Sequence, residues 1–337
     1  MSKAKVAIVQ APPVLLHRDA TMERALGHVE AAAGEGAKLI VFPEAWFPGY
    51  PTWVWRLRPG GDMALASEIH ARLLDNAIDL ARDHLGPLRK AAAERGIIIV
   101  CGINEVDGAY SGSTLYNSVV VIGPDGAILN RHRKLIPTNP ERMVWGRGDA
   151  SGLKVVETPV GRIGCLICWE SYMPLARFAL YAQNLDVLIV PTWDCGEGWQ
   201  ASMRHIAREG GCWVLSTATA LQGGDVPADF PGRDQLFADA DEWICDGDAV
   251  IVRPFGGPVA GPLHREKGIL YGEIEAAAAA RARRSLDVAG HYSRPDVFRL
   301  EVNNMPMPPV QFTAMPADSA ADQVAVAPSS LSRAAHG

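Results

Sequence analysis

With 337 residues, 48% hydrophobic side chains and a mean hydropathy of +0.03, the chain can bury a large core and is not of disordered composition. A net charge of −6 argues against nucleic acid as a general partner, and six cysteines in a chain this long do not make a disulfide scaffold. No segment approaches a membrane-spanning length, and the N-terminus enters a strand pattern without the long apolar region and cleavage site of a signal peptide. The expectation is a soluble, cytoplasmic protein with free thiols and no membrane partner.

In chain order, strand patterns are predicted near 5–10, 38–43, 97–103, 115–122, 162–167, 186–191, 213–218 and 249–253, and helix patterns near 20–34, 63–94, 173–183 and 199–210. Gly123-Pro124-Asp125-Gly126 and Pro159-Val160-Gly161 read as turns between extended runs. The alternation of strands and helices, with some hairpins, implies mixed sheets covered by helices. Arg281-Ala282-Arg283-Arg284 follows five alanines and reads as the basic last turn of a helix rather than a binding patch. No polar linker interrupts the pattern before about residue 303, which predicts one catalytic domain over 1–303. Residues 304–337, rich in Pro, Ala and Ser, are expected to form a mobile tail.

Three reactive side chains stand at strand ends. Lys38-Leu39-Ile40-Val41-Phe42-Pro43-Glu44 is a strand pattern ending in a carboxylate, Arg133-Lys134-Leu135 places an ammonium after another extended run, and Gly164-Cys165-Leu166-Ile167-Cys168-Trp169-Glu170 carries a thiol to the bend before a helix. A thiol held there, near helix amides and a proton acceptor, can have its pKa lowered toward the reactive thiolate. Taken singly, each has an ordinary reading: a buried thiol for Cys168, solvated charges for Glu44 and Lys134. Open α/β sheets, however, gather reactive groups at strand ends, so residues from distant parts of the chain can converge there. Cys165 and Cys168 form a C-x-x-C, yet three residues apart in a strand they point to opposite faces, and no second pair of ligands completes a zinc site. Cys101, Cys165, Cys212 and Cys245 read as core, and Cys195 as able to approach a pocket. No phosphate loop, dinucleotide fingerprint, H-E-x-x-H or G-x-S-x-G is present, so neither cofactor nor metal is implied.

These segments resemble the motifs of the nitrilase superfamily: Phe42-Pro43-Glu44 its glutamate motif, Arg133-Lys134-Leu135 its lysine motif, and Cys168-Trp169-Glu170 with Met173-Pro174 its cysteine motif. The match spans roughly residues 4 to 302. Cys-Trp-Glu is similar to the true nitrilase branch, where related amide hydrolases carry Cys-Tyr-Asp or the like. Phe47-Pro48-Gly49-Tyr50-Pro51, Pro191-Thr192-Trp193 and Gly290-His291-Tyr292-Ser293-Arg294-Pro295-Asp296 add similarity to microbial nitrilases, and the stretches from Trp169 to Arg177 and from Trp193 to Glu209 are similar to those of arylacetonitrile-type enzymes. The resemblance implies a four-layer α-β-β-α sandwich of the α/β class and a homo-oligomer built from dimers, as a ring or helical filament.

It also implies chemistry. Cys168 would attack a nitrile carbon, Glu44 would act as general base, Lys134 would stabilise charge, and Glu141 would correspond to a second glutamate that places the lysine and water. Trp169, Trp193, Tyr50 and Pro51 are expected as walls of the substrate pocket, and His291 as a surface loop residue. The expected reaction is hydrolysis of an organic nitrile, an arylacetonitrile by preference, to acid and ammonia, with some amide by-product. An amidase of the same superfamily would use the same triad. A cyanide-degrading enzyme is a further alternative, disfavoured because Ser171-Tyr172-Met173 stands where such relatives typically continue with His and Gln.

Overall fold

In a computed structural model that describes residues 3–310, thirteen strands form two mixed sheets. The first is assembled from β1 (Ala4–Val9), β2 (Leu39–Val41), β3 (Ile98–Val106), β4 (Leu115–Ile122), β5 (Ile128–Arg133) and, last in the chain, β13 (Ile269–Ile274), in the order β13-β1-β2-β3-β4-β5. The second holds β6 (Val156–Thr158), β7 (Gly161–Cys165), β8 (Val187–Pro191), β9 (Trp213–Thr217), β10 (Ala220–Gln222) and β11 (Trp243–Arg253) in the order β10-β11-β9-β8-β7-β6, with β12 (Gly257–His264) paired to β11. In both, three successive strands run parallel at the centre: β1, β2 and β3 in one, β7, β8 and β9 in the other.

Alternation of side chains along these strands creates the layers, because successive residues point to opposite faces. Val6, Ile8, Leu39, Val41, Ile98 and Val100 of the first sheet share one buried cluster with Ile163, Val187, Ile189, Leu215, Ala249 and Ile251 of the second, so the sheets meet face to face. The intervening residues Ala7, Val9, Ile40 and Ile99 turn outward onto α1 (Arg18–Gly34) and α3 (Gly86–Arg95) through Ala25, Val29, Leu88 and Ala92. Leu188, Val190, Val214 and Val250 likewise meet α4 (Pro174–Tyr181) and α5 (Gly196–Glu209) through Leu180, Met203 and Ile206. The four-layer α-β-β-α arrangement follows, and periodicity alone had not indicated its second sheet.

The single helix expected over 63–94 is two, α2 (Met63–Asn76) and α3, because Ile78 bridges to Glu105 of the sheet and Pro87 opens a new helix at its first turn. The strands absent from the sequence pattern are β5, foreseen only as an extended run, β6, β10, β12 and β13. All lie at sheet edges; in β5, β6, β12 and β13 partial exposure replaces the apolar run by mixed residues such as Asn130-Arg131-His132-Arg133, and β10, though buried at Ala220 and Leu221, is only three residues long. The alanine-rich helix before Arg284 is present as α7 (Ala276–Arg283), with α6 (Arg233–Leu236) a single turn.

The chain divides into two units between Pro306 and Met307. The second has no helix or strand over its described residues 307–310, and the expectation of a mobile tail falls, from 311 onward, outside the described residues. Among the described residues no helix is long and apolar enough to cross a membrane.

Candidate active site

Strand direction brings the reactive residues to one rim. β3 pairs antiparallel with β4, and β4 with β5, so β5 runs the same way as β2. Glu44 follows β2 and Lys134 follows β5, at the same end of the first sheet. The Glu44 loop lies directly on Gly102 of β3, where a Cβ would fall 2.2 Å from the Pro43 carbonyl oxygen; only glycine permits that approach.

Lys134, Glu44 and Glu141 form one buried network. The Lys134 ammonium donates to Glu44 Oε1 at 2.8 Å and to Glu141 Oε2 at 2.8 Å, and the three residues are each about 1% exposed. Asn117 of β4 completes it twice over: its side-chain NH₂ donates to Glu44 Oε1 at 2.7 Å and its backbone carbonyl accepts from the Lys134 backbone N–H at 2.8 Å. Glu44 Oε2 is buried with no hydrogen-bond partner among the described residues. Glu141 Oε2 also accepts from the Thr138 N–H at 2.7 Å, and Oε1 accepts from the Tyr50 hydroxyl at 2.7 Å.

Burial raises the Glu44 pKa to about 6, against the lowering pull of Lys134. Burial would lower the Lys134 pKa, but the charge of Glu44, with that of Glu141 beside it, outweighs burial and raises it. The flanking charges do not depress it: His132 bonds Glu170, and Arg133 pairs with Glu105 and Asp107. Tyr50 is likewise raised, first by burial and then by Glu141 and Glu44, so it remains a phenol donor.

Cys168 opens the 3₁₀ turn Cys168–Tyr172 that follows β7, with φ of 53°, a left-handed conformation that costs a non-glycine residue strain. The thiol is buried and accepts a hydrogen bond from the Thr192 hydroxyl, just past the end of β8, at 3.2 Å. Burial, then the Glu44 charge, pushes its pKa up to about 12, with Lys134 and Thr192 pulling against them. The lowered thiol pKa expected from the sequence is therefore not found. The resting group is a thiol, and a base must take its proton when it reacts.

A cavity of about 170 Å³ opens onto this thiol, lined by Cys168, Glu141 and Thr138 and by the rings of Tyr50, Trp55, Trp169 and Trp193, with Asp194 at its edge. Tyr50 and Trp193 stack with centroids 4.3 Å apart and planes 3° from parallel. The Trp55 indole donates to the Tyr50 hydroxyl at 3.1 Å, and the Trp169 indole donates to Asp194 at 2.7 Å. Pro51 does not reach this cavity; it is buried at the start of the turn Thr52–Trp55, which presents Trp55 instead. A larger groove of about 370 Å³ between α4 and residues 300–304 has neither carboxylate nor thiol among its lining side chains.

Glu44, Lys134, Cys168, Glu141, Tyr50, Trp169 and Trp193 thus come together, while His291 is exposed. Cys165 lies in the core between the sheets, and Cys195 sits against Cys245 rather than on the cavity wall. Asn117, Thr192, Trp55 and Asp194 were not singled out from sequence. For Asn117 a signal existed, since Asn117-Ser118 interrupts an otherwise β-branched and apolar strand, and Thr192 lies within the Pro191-Thr192-Trp193 stretch. Among the described residues no group of His, Cys, Asp or Glu could hold a metal ion.

Comparison with known proteins accords with this architecture. The Caenorhabditis elegans NitFhit protein superposes with a TM-score of 0.70 at 18% identity, covering 92% of this chain and 69% of that one. Residues 5–284 match the model of the carbon-nitrogen hydrolase family, and the chain belongs to that family. It lies on the nitrilase branch. A bifunctional nitrilase/nitrile hydratase of Lupinus angustifolius is 38% identical over 92% of this chain and 89% of its own length, and an aliphatic nitrilase of Sinorhizobium fredii is 39% identical over 91% and 97%.

Proposed function

We propose that this enzyme hydrolyses a small organic nitrile, an arylacetonitrile by preference, to the carboxylic acid and ammonia through a covalent Cys168 intermediate. The observation that carries the reading is the meeting of an unpartnered Glu44 oxygen, the Lys134 ammonium and the Cys168 thiol beneath one aromatic-walled cavity. Glu44, a carboxylate above its pKa of about 6, takes the thiol proton through its free Oε2 as sulfur attacks the nitrile carbon. An ammonium has three donors. Two of those on Lys134 are spent on Glu44 and Glu141, and the third serves the nitrogen that gains negative charge. The backbone N–H of Trp169 heads a turn that offers it no internal acceptor and is the second donor.

Glu44 hands the proton it took to the nitrile nitrogen, which completes the thioimidate, and as a carboxylate again it activates the water that the thioimidate takes up. Its tetrahedral adduct expels ammonia to leave a thioester, and a second water releases the acid and restores the thiol. If sulfur departs first, the product is the amide. That the lupin relative is named for both nitrilase and nitrile hydratase activity supports including this branch. Four aromatic rings around a small cavity favour a compact, flat substrate over an extended one.

The test is release of ammonia and acid from phenylacetonitrile, benzonitrile and a short aliphatic nitrile, each paired with its amide, by wild type and Cys168→Ala. Nitrile turnover that vanishes in the variant, fastest with phenylacetonitrile, is expected. Amide turnover with inert nitriles would assign an amidase, and faster turnover of the aliphatic nitrile would overturn the arylacetonitrile preference.

A further inference from the structure

Among the buried carboxylates that this chemistry does not use, one lies two residues from the thiol. Glu170, two residues past Cys168 and 2% exposed, receives donors on both oxygens: Oε2 accepts from the Ile167 N–H at 2.8 Å, Oε1 accepts from the Leu135 N–H at 2.8 Å, and the His132 ring Nε2 lies 2.8 and 3.0 Å from the two. Ile167 immediately precedes Cys168, and Leu135 immediately follows Lys134. The Glu170 N–H also donates to the Ile167 carbonyl at 3.1 Å, so Cys168, strained at φ 53°, is enclosed in a loop closed twice by one residue. Such strain persists only where the surroundings over-determine the backbone.

We propose that Glu170 is a positioning residue of this enzyme: by bridging the Ile167 and Leu135 amides, it holds the Cys168 turn of one sheet in register with the Lys134 segment of the other. The proposal rests on Cys168 and Lys134 being the reacting pair. Burial alone would raise the Glu170 pKa, but His132 and the two backbone donors outweigh it and hold the carboxyl below its ordinary value, as an acceptor on both oxygens requires. An amide cannot replace it. Whichever way a glutamine is turned, its NH₂ faces either the Ile167 or the Leu135 N–H, and one side of the bridge is lost.

In Glu170→Gln, kcat per titrated thiol should fall on the order of 10²-fold, the cost of a misplacement near 1 Å, with KM within about threefold of wild type because no wall of the cavity changes. Alkylation of Cys168 by iodoacetamide, followed by peptide mass spectrometry, should slow in parallel; it reads the site without any nitrile, so it stands even if the assigned substrate is wrong. His132→Leu leaves both backbone donors in place and should lower kcat less than about tenfold, the worth of one hydrogen bond. If Glu170→Gln lowers the melting temperature but leaves kcat per titrated thiol and alkylation unchanged, Glu170 is only structural and the proposal fails. It fails equally if His132→Leu matches Glu170→Gln, because the His–Glu pair would then be responsible. Should Glu170→Gln not fold, Glu170→Asp, charged but too short to reach both amides, is read by the same criteria.

Discussion

The two rims that meet at the site are built differently. The first sheet supplies Glu44, Lys134 and Glu141, charges buried in one another's company. The second supplies Cys168, equally buried yet uncharged at rest, with Thr192 as its hydrogen-bond donor. A buried charge is tolerable only while its partners remain, whereas a neutral thiol asks little of its surroundings. The charged half should therefore fail as a unit, and the thiol half should be separable from the fold.

Cys168→Ala breaks the comparison at its sharpest point: nitrile turnover should fall below detection, with the melting temperature within a few degrees of wild type, measured by ammonia release and circular dichroism. Lys134→Met should also abolish turnover but destabilise by about 3–5 kcal/mol in urea unfolding, because two buried carboxylates are left facing each other. Equal stability loss in the two variants would remove the distinction. Glu44→Gln should reduce kcat by about 10²–10⁴-fold.

The pH dependence sharpens the same point. In the proposed mechanism Glu44 must be a carboxylate to accept the thiol proton, and burial raises its pKa from 4.5 to about 6. Wild-type kcat/KM should therefore be full above that value and fall as pH drops through about 6, and this limb should be missing from the residual activity of Glu44→Gln. Tyr50→Phe is the mildest change: Glu141 Oε1 loses its donor while Oε2 keeps Lys134 and the Thr138 N–H, so the expected cost is about 1–3 kcal/mol of stability, with kcat reduced no more than about tenfold.

Central strands and reactive residues were legible in the sequence for a common reason. β1, β2, β3, β7, β8 and β9 are buried on both faces between the other sheet and the helices, which leaves continuous apolar runs, and a Glu, Lys or Cys at the end of such a run stands out. Edge strands, partly exposed or, like β10, only three residues long, carry no such run and were missed.

What the sequence by itself determined is thus the α/β class and the central strands, and it put forward Glu44, Lys134, Cys168 and Glu141 as candidates, because these depend on local pattern and motif. Only the tertiary structure decided that two sheets face each other, that Asn117 and Thr192 bond the base and the thiol, that Trp55 rather than Pro51 faces the cavity, and that the Cys168 thiol is raised rather than lowered. Each of these depends on burial and on partners distant in the chain: 73 residues separate Asn117 from Glu44, and 35 separate Leu135 from Glu170. No local pattern records such a pairing, because it exists only once the strands have set their order and direction.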